Sequence, residues 1–210
     1  MKKQDDDNTS ASNWNAFQKD KKRNVPSNAA KMALKLFDNR KGLAIDIGCG
    51  AGADSLLMLE QDWSVIALDH NTLGINIVYE NLDAEKKDNL YIVQDTFENM
   101  KLHTCNWLNA SFSLPFISPK DYDDVWQKIS NSIAPDGRFS GTFFGNKDSW
   151  APGNTLRTFH TKEQVIKLFG GFEIEWFDER EREGTSIDAS RVEHLKHWHV
   201  FEVVAKKVQL

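Results

Sequence analysis

The chain has 210 residues, 40% of them hydrophobic and 27% charged, with a formal net charge of -5. That length supports one sizeable core rather than two typical domains and a linker, and no apolar run approaches the ~20 residues of a membrane-spanning helix. The acidic surplus excludes a nucleic-acid coat or an anionic-membrane binder, each of which needs a broad basic face, and favours a small molecule as the partner.

Residues 1–13 are polar and carry the run Asp5-Asp6-Asp7, which predicts a flexible tail ahead of a single domain over 14–210. That stretch holds no apolar block resembling a secretory signal, and two cysteines cannot build a disulfide framework, so a cytoplasmic protein is expected. From Ser27, a capping residue, Ala29, Met32, Ala33, Leu36 and Phe37 repeat with the period of one helical face. Leu43 to Ile47, Ser64 to Leu68 and Leu90 to Val93 are short, continuously apolar runs; the segments between them, Asp54 to Glu60 and Thr72 to Leu82, read as helices. Such runs belong to a parallel sheet covered on both faces, and the pattern is βαβαβ.

Cys105 to Phe112 predicts a fourth strand, and Ser118-Pro119 with Asp121 a helix start, after which Tyr122, Val125, Trp126, Ile129 and Ile133 share a face. Pro135-Asp136-Gly137 signals a turn before a strand at Phe139 to Phe144. Thr161 and Gln164 form a capping-box pair, and Gly170-Gly171 ends the helix they open. Phe172 to Phe177 and His197 to Ala205 are the last strands; with no crossover helix between them they should pair antiparallel.

The sharpest feature is the segment Ala44-Ile45-Asp46-Ile47-Gly48-Cys49-Gly50-Ala51-Gly52-Ala53, a strand entering a glycine turn and then a helix. Glycine permits the tight turn and the close approach of a ligand, which points to a nucleotide-type site. Gly48, Gly50 and Ala53 also satisfy a dinucleotide fingerprint, with Asp69 standing 21 residues (69 − 48) after Gly48, so the carboxylates must choose the ligand. Asp69, at the tip of the second strand, suits ribose hydroxyls in either case. Asp46 is expected to direct its charge at the place a pyrophosphate would take, where like charges ~4 Å apart repel by roughly 4 kcal/mol at an effective dielectric of 20. That favours a ligand with an ammonium and a sulfonium over NAD. Asp95, followed by Thr96, adds an acceptor for an adenine amino group.

Asp46 to Gly52 resembles the first motif of class I S-adenosylmethionine-dependent methyltransferases, Asp69 their acidic second-strand tip, and Gln94-Asp95-Thr96 their adenine-contacting segment. The resemblance runs over residues 26–207 and implies a doubly wound, Rossmann-like α/β fold, a seven-stranded mixed sheet with the last strand antiparallel. It also implies S-adenosylmethionine as cofactor, held by Asp46, Gly48, Cys49, Gly50, Gly52, Asp69, His70, Asp95 and Thr96. Ser113-Leu114-Pro115-Phe116, the 144–150 and 158–161 segments and Lys196 to Glu202 are similar to the subgroup related to tellurite-resistance methyltransferases, whose members suggest a small or soft nucleophile.

Methyl transfer from a sulfonium needs an aligned nucleophile and excluded water more than a base, so no catalytic residue is assigned. The fourth-strand end, Asn109 to Phe116, lacks both the Asn/Asp-Pro-Pro-Tyr/Phe motif of adenine or glutamine methylation and a Pro-Cys pair for attack on cytosine. Phe112, Phe116, Trp150 and His160 are candidates for the acceptor side, and Trp14 with Phe17 for a lid over it. His197 and His199 share a strand face, but no carboxylate or cysteine is expected to complete a metal cluster with them and His194, so no metal is assigned. Neither Cys49 nor Cys105 has a histidine partner expected of a nucleophilic thiol. Lys19, Lys21, Lys22 and Arg23 read as a solvated face. The expectation is a methyltransferase for a small-molecule acceptor, without nucleic-acid or membrane partners and with its oligomeric state open. The rivals are a non-catalytic S-adenosylmethionine sensor and an NAD-dependent oxidoreductase.

Overall fold

A computed structural model describes residues 25–187 and 192–209; the expected tail, Trp14, Phe17 and the 19–23 basic run lie outside them. Helix α1 (Asn28–Leu36) starts where the Ser27 hydroxyl accepts the Ala30 N–H at 3.1 Å, and its buried Ala29, Ala30 and Ala33 let it lie close to the sheet. There follow β1 (Leu43–Ile47), α2 (Ala53–Leu59), β2 (Ser64–Asp69), α3 (Leu73–Glu80), α4 (Ala84–Asp88) and β3 (Leu90–Gln94). The second half comprises β4 (Cys105–Ala110), a 3-10 turn (Leu114–Phe116), α5 (Tyr122–Ser132), β5 (Ile133–Gly145), β6 (Phe159–His160), α6 (Lys162–Leu168), β7 (Phe172–Ile187) and β8 (Glu193–Lys207).

These strands form one mixed sheet in the order β3-β2-β1-β4-β5-β8-β7, with β6 paired to β5. The pairs from β3 through β5 are parallel, and β8 runs antiparallel to both β5 and β7. This is the expected Rossmann-like α/β architecture with an antiparallel strand contributed last. Helices cover both faces, as continuously apolar parallel strands require. On one face Phe37, Trp63 and Trp107 meet with centroids 4.7 to 5.3 Å apart; on the other Trp126, Phe139, Phe143 and Phe169 interlock. Each such ring pair adds about 0.5–1.5 kcal/mol beyond area burial. Among the described residues no helix is long and apolar enough to cross a membrane.

Several boundaries differ from expectation. The helix expected from Ser118 begins at Tyr122, because the Ser118 hydroxyl bonds the Asp121 carboxylate at 2.6 Å and closes a separate turn first. Pro135-Asp136-Gly137 falls inside β5, where Asp136 takes a φ of 62° and the β4–β5 register shifts between Cys105 and Trp107: an irregularity within the strand replaces a turn before it. Helix α4, capped by Asp83 accepting the Lys86 N–H at 2.9 Å, was not foreseen in its polar sequence. Both strands of the β7–β8 hairpin reach well past the expected ends, to 16 and 15 residues.

Candidate functional site

Strand β1 delivers the chain into the glycine turn at the carboxyl edge of the sheet. Gly48, Gly50 and Gly52 all adopt left-handed φ angles, of 69°, 53° and 80°. A methyl group on Gly48 would stand 2.4 Å from Ser113 Cβ, and one on Gly52 2.4 Å from Ile75 Cδ1, so these two glycines seat the turn against its neighbours. At Gly50 the nearest atom, Gly48 O, is 4.0 Å away, so this position looks onto open space.

The donors of the turn are already engaged. Leu68 O accepts the N–H groups of Gly48 and Cys49 at 2.7 and 3.1 Å, and Asp69 Oδ2 accepts that of Gly50 at 2.9 Å. Asp69 Oδ1 accepts the Asn71 N–H at 2.9 Å and faces His70 Nδ1 at 3.0 Å. Because β2 and β3 run parallel with Asp69 opposite Gln94, Asp95 lies alongside, its N–H donating to Asp69 O at 3.1 Å and its carboxylate accepting the Thr96 N–H at 2.8 Å. The structure therefore gathers Gly50, Asp69, His70, Asp95 and Thr96 at one edge.

Asp46 is placed otherwise than expected. Its carboxylate does not stand at the mouth of the turn; it is 2% exposed and points inward, accepting Ser55 Oγ at 2.6 Å and Asn109 Nδ2 at 2.9 Å. Strand alternation explains this, since Asp46 and Asn109 are register partners on β1 and β4 and present their side chains to the same buried side. The same amide nitrogen donates to Asp54 Oδ2 at 2.9 Å, and Asp54 also accepts the N–H and hydroxyl of Ser27, which ties the start of α1 beneath the turn. Burial first, then the Asp54 charge, push the Asp46 carboxyl up to about 7, against the bonds from Ser55 and Asn109. Burial, then Asp46 and Asp69, also hold the Cys49 thiol well above its usual range, which keeps it un-ionised.

The acceptor candidates divide. Phe112, at the end of β4, is 45% exposed and holds a φ of 51°, unusual for a bulky residue. It and Phe116 meet Phe144 edge-on at 6.4 and 6.0 Å, and Trp150 meets Phe144 at 6.2 Å, so these three surround one ring. His160 is not among them: it packs in the interior against Tyr122 at 4.7 Å and Phe143 at 5.9 Å, and burial lowers its imidazole to about 4. The neighbouring sequence, Arg157 to Lys162, is polar but for Phe159 and carries no period that marks a core face.

Sequence reasoning also missed a buried ion pair beside Trp150. The Lys196 ammonium, almost wholly enclosed, bonds the Asp148 carboxylate and lies 3.7 Å from the Trp150 ring centre and 4.2 Å from that of Trp198. Asp148 also accepts the N–H groups of Trp150 and His199, and the Arg157 guanidinium lies 4.8 Å from the Trp150 ring. Burial pulls the Lys196 amine down to about 8 against the pull of Asp148. Residues 148 and 196 are too far apart in sequence for their pairing to be read from spacing.

Against expectation, carboxylates do approach the β8 histidines: ligand atoms of Glu179, Glu181 and His199 lie within 4.8 Å of one another. They come from β7, directly across the ladder. His199 Nδ1 accepts the Lys147 N–H at 3.2 Å, which leaves Nε2 as a donor to Glu179 Oε1 at 3.3 Å, while Lys162 and Lys147 pair with the two glutamates. This is an ion-pair ladder with its acceptors engaged.

Residues 44–137, from β1 to the start of β5, match the family model described as a methyltransferase domain. That stretch is somewhat less than half of the chain. A curated relative, the carboxy-S-adenosyl-L-methionine synthase of Pseudoalteromonas atlantica (strain T6c / ATCC BAA-1087), is 27% identical over 99 residues, which are 45% of this chain and 41% of that protein. The match thus spans less than half the length of that relative. Among solved structures, TehB from Haemophilus influenzae superposes with a TM-score of 0.71 at 16% identity over 91% of this chain and 65% of its own. The Burkholderia thailandensis 1,6-didemethyltoxoflavin-N1-methyltransferase, solved with 1,6-didemethyltoxoflavin and S-adenosylhomocysteine, gives 0.65 at 18% identity over 94% and 85%. At such identities the likeness is one of fold, and it takes in about nine-tenths of the chain.

Proposed function

We propose that this chain is an S-adenosylmethionine-dependent methyltransferase acting on a small-molecule acceptor by direct displacement. The observation that carries the reading is the Asp69 carboxylate bonded to the Gly50 N–H across a turn whose Gly48 and Cys49 donors are already taken. A diphosphate seeks free N–H groups there and would meet a carboxylate; a nucleoside with ribose hydroxyls and a cationic side chain meets acceptors. The charge argument thus passes from Asp46 to Asp69. The domain match at residues 44–137, the relative named as a carboxy-S-adenosyl-L-methionine synthase and the Burkholderia enzyme solved with S-adenosylhomocysteine support the same ligand.

In this reading Asp69 binds the ribose, Asp95 and Thr96 flank the adenine with His70, and the backbone of Gly48, Cys49, Gly50 and Gly52 admits the methionine half. Asp46 supports the turn from beneath. S-adenosylmethionine supplies, when bound, a methyl group on a sulfonium. Phe112, Phe116 and Trp150, standing past the ends of β4 and β5, provide an apolar side for the acceptor and exclude water from it. His160 acts only through packing. Among the small-molecule enzymes of this fold is the toxoflavin N-methyltransferase, and an organic acceptor of similar size suits this wall.

Calorimetry with S-adenosylhomocysteine and with NADH tests the donor. Binding of the former alone is expected; binding of NADH alone overturns the assignment. Transfer of label from methyl-labelled donor into a metabolite extract then separates an enzyme from a sensor, for which binding persists without labelled product.

A further inference from the structure

Two carboxylates lie buried under the glycine turn, and among the described residues neither is hydrogen-bonded to a cation. Asp46 is 2% and Asp54 7% exposed, and both accept from the single side-chain nitrogen of Asn109, each at 2.9 Å. Their other partners are neutral: Ser55 Oγ for Asp46, the Ser27 N–H and hydroxyl for Asp54. The charged groups acting on Asp46 are Asp54 from α2 and Asp69 from the end of β2, and Asp46 in turn acts on the Cys49 thiol in the turn; His70 is turned to Asp69, and Asn109 on β4, Ser111 after it and Ser27 ahead of α1 are neutral. Two enclosed carboxylates that share one donor resist ionising together, so that Asp46 gives up its proton only near neutral pH.

We propose that the Asp46–Asp54 pair makes the donor site discriminate by charge, releasing a proton when the sulfonium of S-adenosylmethionine binds and keeping it when the neutral thioether of the product binds. This rests on the donor reading above and adds to it a specificity-determining role for Asp46 and Asp54. The pair titrates where this matters, since burial and Asp54 bring the Asp46 carboxyl to about 7. A unit charge ~10 Å away at an effective dielectric of about 20 lowers such a group by about one pH unit. S-adenosylmethionine then binds more tightly as the pair ionises, while S-adenosylhomocysteine, lacking the fixed charge, follows pH far less. The consequence is reduced product inhibition toward neutral pH.

The test is calorimetry of the full chain with both compounds from roughly pH 5.5 to 7, a range in which the amino groups of both stay largely protonated. Each titration is run in two buffers of different ionisation enthalpy, which counts protons. The ratio of the S-adenosylhomocysteine Kd to the S-adenosylmethionine Kd should rise about fourfold over that range, with about half a proton released near pH 6.5 by S-adenosylmethionine alone. Asp46→Asn should flatten the ratio and abolish the release; Asp54→Asn should move the rise to lower pH. Binding of both compounds with a constant ratio and equal proton counts in the unaltered protein overturns the linkage and leaves the donor reading intact. Failure of both to bind removes the donor reading and the linkage together.

Discussion

Gly48 and Gly50 share a backbone conformation and differ in what surrounds them, so the same substitution tests two different things. An added methyl at 48 strikes Ser113 at 2.4 Å, whereas at 50 it meets only open space. Gly48→Ala should therefore lose about 2–3 kcal/mol of stability, combining a left-handed alanine with a clash. Gly50→Ala should lose only about 1 kcal/mol, yet abolish donor binding by filling the approach. Urea midpoints beside calorimetric affinities separate the two; equal stability losses would show that the open space at Gly50 is not real. Asp69→Ala should weaken S-adenosylhomocysteine by at least ~1 kcal/mol, from the loss of a charge-assisted bond to a hydroxyl pair. Unchanged affinity would mean that another group holds the ribose.

At the scale of elements, what the sequence exposed was local and what it hid was long-range. The βαβαβ half, the glycine turn and the Thr161–Gln164 capping box rest on periods and caps within a few residues, and all three stand in the structure. The inward turn of Asp46 depends on a neighbour 63 residues away, Asn109, and on Ser55, so polarity alone left its direction open. Residues 178–183 of β7 are charged at every position, and their partners, Lys147, Lys162 and the β8 histidines, lie on other elements. The Lys196–Asp148 pair is the sharpest case, since it joins β8 to the loop after β5 beneath Trp150. Lys196→Met removes one partner of an enclosed pair and should cost about 3–5 kcal/mol, while Lys196→Met with Asp148→Asn should recover part of the loss. A double-mutant cycle in urea measures this, and an additive result would show that the two do not interact.

For the whole molecule, pH acts on stability through buried groups that pull in opposite directions. The Asp46 carboxyl, at about 7 when folded against 3.8 otherwise, keeps a proton in the native state that the unfolded chain gives up above pH 4, so its contribution falls as pH rises from about 4 to 7. The His160 imidazole, at about 4 against 6.5, is neutral in the fold where the unfolded chain is charged, so its contribution rises with pH from about 4 to 6.5. Between pH 4 and 6.5 the two slopes oppose, and their sum should be shallow. Removing one should uncover the other: Asp46→Asn should gain stability as pH rises through this window, and His160→Gln should lose it. A third slope lies apart, because Lys196, at about 8 against 10.5, makes the unfolded chain bind the extra proton and so raises stability from about pH 8 to 10.5. Urea midpoints of the three proteins from pH 4 to 10 decide the matter. Parallel curves for the two variants below pH 6.5 would mean that neither Asp46 nor His160 carries the proton imbalance that its burial imposes.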